Sequence, residues 1–113
     1  MILALDEHDA LYVFSSTEDA ERELEAMDVK KYKFEFCDES GQRFEAVYPV
    51  PPRMSRVGII RGVDVGAFRL MAKGAADAAL PAKVVGRAAY IEHTSVSGVS
   101  SLESLRAELN KQP

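Results

Sequence analysis

The run KYKFEFCDESGQRFEAVYP, residues 31–49, decides the architecture. Tyr32, Phe34 and Phe36 alternate with Lys31, Lys33, Glu35 and Cys37. That is the period of two expected of a half-buried strand with an aromatic inner face. Asp38-Glu39-Ser40-Gly41 carries turn chemistry, with Gly41 able to take a positive φ. Phe44, Ala46, Tyr48 and Val50 then repeat the alternation against Arg43, Glu45 and Val47. The spacing predicts a hairpin over 31–37 and 43–49. Pro49, Pro51 and Pro52 are expected to end it, because proline has no amide hydrogen to give a ladder.

Upstream, Ile2 to Leu5 and Leu11 to Phe14 bracket the polar turn Asp6-Glu7-His8-Asp9 and read as a short strand pair. A helix start follows. Ser15 with Glu18, and equally Ser16 with Asp19, fit the capping pattern in which a serine oxygen accepts from an orphan amide near the helix start. The helix is expected to run from Thr17 to Met27, with Ala20, Leu24 and Met27 on its buried face. Glu18, Glu21 and Glu25 then form an exposed stripe. Like charges on neighbouring turns repel by a few tenths of a kcal/mol per pair, and Arg22 offsets only part of this. Folding does not need the stripe.

Downstream the pattern is less regular. Val57 to Ile60 and Ala67 to Lys73 read as strands. Gly58, Gly62 and Gly66 belong to turns or bulges, since no Lys-Ser/Thr follows to make a phosphate loop. Gly74 to Leu80 is alanine-rich and suggests a helical turn or two before Pro81, and Val84 to Glu92 reads as a strand with Gly86 as a bulge. His93 to Val99 is a Ser/Thr/Gly loop, and Ser100-x-x-Glu103 opens a last helix with Leu102, Leu105 and Leu109 on one face. The expected whole is a single α+β domain over residues 1–113. Its sheet is mainly antiparallel, with about five or six strands, and both helices pack on one face.

At 113 residues, 47% hydrophobic and 28% charged, the composition is that of a folded globular domain. The apolar runs are too short to span a membrane and the start does not read as a signal peptide, so a cytoplasmic chain is expected. The single Cys37 excludes an internal disulfide and a cysteine zinc site, and neither His8 nor His93 has the i,i+4 partner of a helical metal site. No cofactor or metal is expected. The net charge of −4 hides an asymmetry: residues 1–50 hold thirteen acids against five bases, and residues 51–113 nine bases against five acids. Such a chain lacks the phosphate-neutralising footprint of a nucleic-acid binder, with only the scattered Arg53, Arg56, Arg61 and Arg69 to suggest one. Clustered acid instead suits capture of a basic partner.

The stretch from Leu11-Tyr-Val-Phe-Ser-Ser-Thr-Glu-Asp-Ala through Leu24-Glu-Ala-Met-Asp-Val to Tyr32-x-Phe-Glu-Phe-Cys-Asp-Glu-Ser-Gly-Gln-Arg-Phe resembles the strand–helix–hairpin opening of a group of small acidic bacterial proteins. Some of these look like immunity proteins that neutralise toxins delivered by competing bacteria. The resemblance spans residues 1–50. It implies a cytoplasmic protein without chemistry of its own that occupies a toxin's active cleft. On that reading Asp6, Glu7, Asp9, Glu18, Glu21, Glu25 and Asp28 are the phosphate-mimicking contacts, with Tyr12 and Tyr48 as anchors. Two other readings stand beside it. One is a homo-oligomer paired through the edge of the 43–49 or the 84–92 strand. The other is a small enzyme or ligand-binding domain built on His93, Cys37 and the arginines of 53–69.

Overall fold

The computed structural model describes residues 1–50 and 67–111. In chain order the elements are β1 (Ile2–Leu5), β2 (Ala10–Phe14), α1 (Thr17–Glu23), α2 (Ala26–Lys31), β3 (Glu35–Asp38), β4 (Arg43–Val50), β5 (Ala67–Ala72), α3 (Leu80–Arg87), β6 (Tyr90–Thr94) and α4 (Leu102–Asn110). The six strands form one sheet in the order β5-β4-β3-β1-β2-β6. Every pairing is antiparallel except that of β2 with β6. The α+β class and the strand number follow the expectation. Among the described residues no helix is long and apolar enough to cross a membrane.

The helices do not share one face. All four residues of β1 are buried, which requires cover on both sides of the sheet. Leu3, Leu5, Leu11, Val13 and Cys37 pack against Leu80, Val84 and Val85 of α3 and Leu105 of α4. Ile2, Ala4, Phe14 and Phe36 pack on the other side with Ala20 of α1, Val29 of α2 and Phe68 and Leu70 of β5. The expected one-sided packing is thus corrected. Ile-Leu-Ala-Leu has no polar residue to place in water, so one layer of helices could not have satisfied it.

The expected Thr17–Met27 helix is two helices. Leu24 ends α1 in an extended conformation (φ −94°, ψ 140°), and α2 begins at Ala26. At about 100° per residue, nine residues of continuous helix would turn Val29 to the side opposite Ala20. The break lets both enter the same core. The C-terminus of α2 closes on Lys33, at φ +52°, with the Phe34 amide donating to the Val29 carbonyl. This left-handed closure follows a helix that ends at Lys31, so Lys31 to Phe34 lie outside β3, which was expected to start at residue 31 and starts at Glu35.

The hairpin itself stands, with Phe36 opposite Phe44 and Cys37 opposite Arg43. Asp38 Oδ1 shapes its turn by accepting from the amides of Ser40 and Gln42 at 2.9 Å each. Gly41 has φ +87°, and a Cβ there would fall 1.7 Å from the Asp77 carbonyl oxygen. The hairpin tip and the approach to α3 are therefore built around a missing side chain. Pro49 does not end β4. The strand continues to Val50, and the ladder to β5 shifts register between Val47 and Val50, where a residue without an amide donor can be accommodated. Pro51, Pro52, Gly58, Gly62, Gly66 and the expected Val57–Ile60 strand lie outside the described residues.

Residues 84–92 are not one strand. Pro81 occupies the first turn of α3, where its missing N–H costs nothing, and Leu80, Val84 and Val85 form the buried stripe. Helix gives way to β6 only at Tyr90, and Gly86 is helical rather than a bulge. The last helix is capped one residue later than expected, by Ser101 and Ser104 in a reciprocal box.

Candidate functional site

The break between α1 and α2 makes a groove. Glu23, Leu24 and Glu25 at the break, Asp28 of α2, and Asp6 and His8 of the β1–β2 turn all line it. Tyr12, Tyr32 and Phe34 complete the lining of this open space of about 540 Å³. Neighbouring rings hold Tyr12 and Phe34. Phe68, Phe36, Phe34 and Tyr12 follow one another with centroid separations of 6.3, 5.9 and 5.2 Å, linking the core to the groove. The Glu7 amide donates to the Tyr32 carbonyl at 3.0 Å, fixing the turn to the end of α2. A recess of about 260 Å³ shares Tyr12, Glu23 and Leu24 with the groove and adds Phe14, Glu92 and His93. A bulge between β2 and β6 supports this extension. Leu11 pairs with Ile91 but Tyr12 with His93, and past the extra Glu92 the His93 ring lies 5.3 Å from that of Phe14, inclined by 36°.

The electrostatics of the groove are one-sided. Burial, then the charges of Asp6 and Glu92, push the Tyr12 phenol above its ordinary range, with Asp28 adding to them. Glu23 is paired with Arg22 at 3.5 Å. Among the described residues no basic nitrogen lies within 4.0 Å of Asp6, Glu25 or Asp28. One Asp6 oxygen is occupied by the turn, accepting from the His8 and Ala10 amides at 2.8 and 3.0 Å. Glu25 and Asp28 are exposed and make no described hydrogen bond through their carboxylates. Lys31 rests over the Tyr32 ring, its ammonium 5.3 Å from the centroid, so an aromatic of this groove already faces a cation.

Of the sequence-selected residues, Asp6, Tyr12, Glu25 and Asp28 meet in this groove. The others do not line it. Glu7 is exposed beside His8, and Asp9 takes φ +64° while its carbonyl accepts from Ala89. Glu18 is exposed at the start of α1, where its own amide and the Thr17 hydroxyl hold its carboxyl below the ordinary value. Tyr48 packs half-buried against the Phe36–Phe68 core, with the Lys30 ammonium 5.9 Å above its ring. Glu21 is the clearest departure. Its side chain is only 13% exposed, accepts the Leu70 amide of β5 at 2.8 Å and meets Arg69 at 3.4 Å. The expected Glu18–Glu21–Glu25 stripe is therefore interrupted, because Glu21 satisfies the outward amide of a strand that is terminal among the described residues. Sequence reasoning missed Glu23, Tyr32 and Phe34 as groove residues. Glu23 belonged to neither the buried face nor the acidic stripe of the expected helix, and the strand pattern sent both rings to an inner face.

The geometry also bears on the two rival site expectations. Cys37 is buried against α3 and α4, and desolvation pushes its thiol up to about 12. His93 lies on the other side of the sheet, against Phe14, so the two side chains do not converge. Arg69 is engaged with Glu21, while Arg53, Arg56 and Arg61 lie outside the described residues. The 43–49 strand is not an edge, because β4 is flanked by β3 and β5. Of the expected 84–92 strand, only Tyr90 to Glu92 belong to a strand, β6, which is terminal in the sheet among the described residues. Among the described residues no group of three His, Cys, Asp or Glu side chains is arranged to hold a metal ion. Compared with family models, with curated proteins and with solved structures, the chain matches none.

Proposed function

We propose that this chain is a non-catalytic, cytoplasmic binding protein, an immunity-type inhibitor that sequesters a basic bacterial toxin domain through the groove between the β1–β2 turn and the α1–α2 break. The observation that carries the reading is the meeting of Asp6, Glu25 and Asp28 with Tyr12 on one surface, without a described base neutralising the three acids. Three carboxylates lining one groove give it a negative field. Their field favours a positively charged visitor and speeds its arrival. The aromatic lining supplies the apolar contact that gives such an interface its affinity. The resemblance of residues 1–50 to immunity proteins points to the same class.

The test is genetic and then physical. The toxin candidate to be sought is the variable C-terminal domain of any large protein encoded beside this chain. Expressed alone in a bacterial host it is expected to stop growth, and with this chain it is expected to be tolerated and to co-purify at one to one. Growth arrest that this chain does not relieve would overturn the proposal, as would relief without a stable complex.

A further inference from the structure

The same groove restricts what part of a partner can enter it. Its carboxylates come from three segments, the β1–β2 turn, the helix break and α2, and are not gathered as metal ligands, since no three-residue metal cluster occurs among the described residues. Aromatic rings line the same groove, Tyr12 and Phe34 at 5.2 Å with their planes inclined by 50°. A hydrated metal ion has no use for such rings. A long organic cation uses both kinds of group: its charge meets the acids while its stem and planar face lie on the aromatics.

Resting on the function proposed above, we infer that the groove is a receptor for an arginine side chain presented by the partner protein. The guanidinium stacks on a ring and still directs several N–H donors in its plane to separate carboxylates among Asp6, Glu25 and Asp28. Lysine ammonium is compact and strongly hydrated; it can rest over a ring, as Lys31 does over Tyr32, but it has no planar fork with which to bridge separate carboxylates. The space of about 540 Å³ exceeds one side chain, so flanking backbone enters with it. The ring contacts running back to Phe68 hold Tyr12 and Phe34 in place before the arginine arrives, which lowers the ordering cost of binding.

The probe is the peptide acetyl-Gly-Arg-Arg-Gly-amide, followed by NMR of the aromatic ring protons, with its lysine and citrulline counterparts as controls. A saturable shift at Tyr12, Tyr32 and Phe34 is expected, with a Kd on the order of 1 mM for so short a peptide. The lysine peptide is expected to bind several-fold more weakly, and the uncharged citrulline peptide not at all. The double variant Glu25→Gln/Asp28→Asn is expected to weaken binding about tenfold with an unchanged melting temperature. Its two side chains are exposed and keep their size. Equal shifts with arginine and citrulline, no saturable ring shift, or full binding by the double variant would overturn the inference. Growth rescue without arginine preference defeats this inference alone. Arginine binding without growth rescue defeats the immunity reading alone.

Discussion

Glu21 and Glu25 look equivalent along the sequence, and the structure gives them opposite roles, so truncating each to alanine separates them. Glu21→Ala removes a carboxylate that accepts the Leu70 amide at 2.8 Å with only 13% of its side chain exposed. A hydrogen bond to a charged group is worth about 1.5–3 kcal/mol. The lower end applies, because the freed amide sits at the side of the sheet and can take up water. The Arg69 contact, at 3.4 Å with Arg69 61% exposed, adds at most a few tenths of a kcal/mol after solvent screening. The expected loss is about 1.5–2 kcal/mol. For a chain of this length that lowers Tm by roughly 6–8 °C. Glu25 precedes α2 with no side-chain capping bond, and its loss is expected to change stability by less than about 0.5 kcal/mol. Thermal unfolding followed by far-UV circular dichroism at neutral pH measures both. Partner association should show the reverse order, with Glu25→Ala slowing it and Glu21→Ala leaving it near the parent value. Equal melting temperatures for the two variants, or a larger drop for Glu25→Ala, would refute the assignment.

Two further outcomes follow from buried groups. Asp19 is buried at the start of α1 and accepts from the Ser95 and Ser15 hydroxyls and the Ser15 amide, with Arg22 at 2.7 Å. These contacts, the Ser95 hydroxyl foremost, hold its carboxyl below the ordinary value against the opposing effect of burial. A depressed folded pKa contributes stability that is present above the unfolded value of about 3.9 and is lost as pH falls through the folded one. Tm of the parent should therefore decline below about pH 4 more steeply than that of Asp19→Asn, and parallel acid limbs would contradict this. Cys37, with its thiol pushed up to about 12, should resist labelling by a thiol reagent at pH 8 until the chain unfolds. Rapid labelling of the folded protein would show that the thiol is reachable and ionised.

The hairpin was legible because local and tertiary demands agree there: Phe36 and Phe44, the Asp38 turn and Gly41 each favour the same geometry, although Tyr32 and Phe34 fall before the strand. Serine caps were legible for the same reason, although the acting pairs are Ser16–Asp19 and Ser101–Ser104. Where tertiary packing overrode the local pattern, the reading changed. Val29 enters the core only if the helix breaks at Leu24, and nothing local to Leu24 announces that. Val84 and Val85 suggest a strand until Leu80 and Pro81 are read with them as a helical stripe. The unbroken apolar Ile2–Leu5 did carry the signal for a sheet covered on both sides, since no residue in it suits a solvated face. The acids of the groove were visible as residues but not as a site. Their meeting depends on the helix break and on the left-handed Lys33, which place Glu23, Tyr32 and Phe34 beside Tyr12.

The account turns on whether Glu25 and Asp28 face a partner. The direct measurement is the association rate of the purified toxin-candidate domain with the parent chain and with the Glu25→Lys/Asp28→Lys variant, at low and at high salt. The account predicts association slowed about tenfold or more by the reversal at low salt, with the two rates converging as salt screens the groove. Rates that coincide at every salt concentration, with both proteins folded, would contradict it.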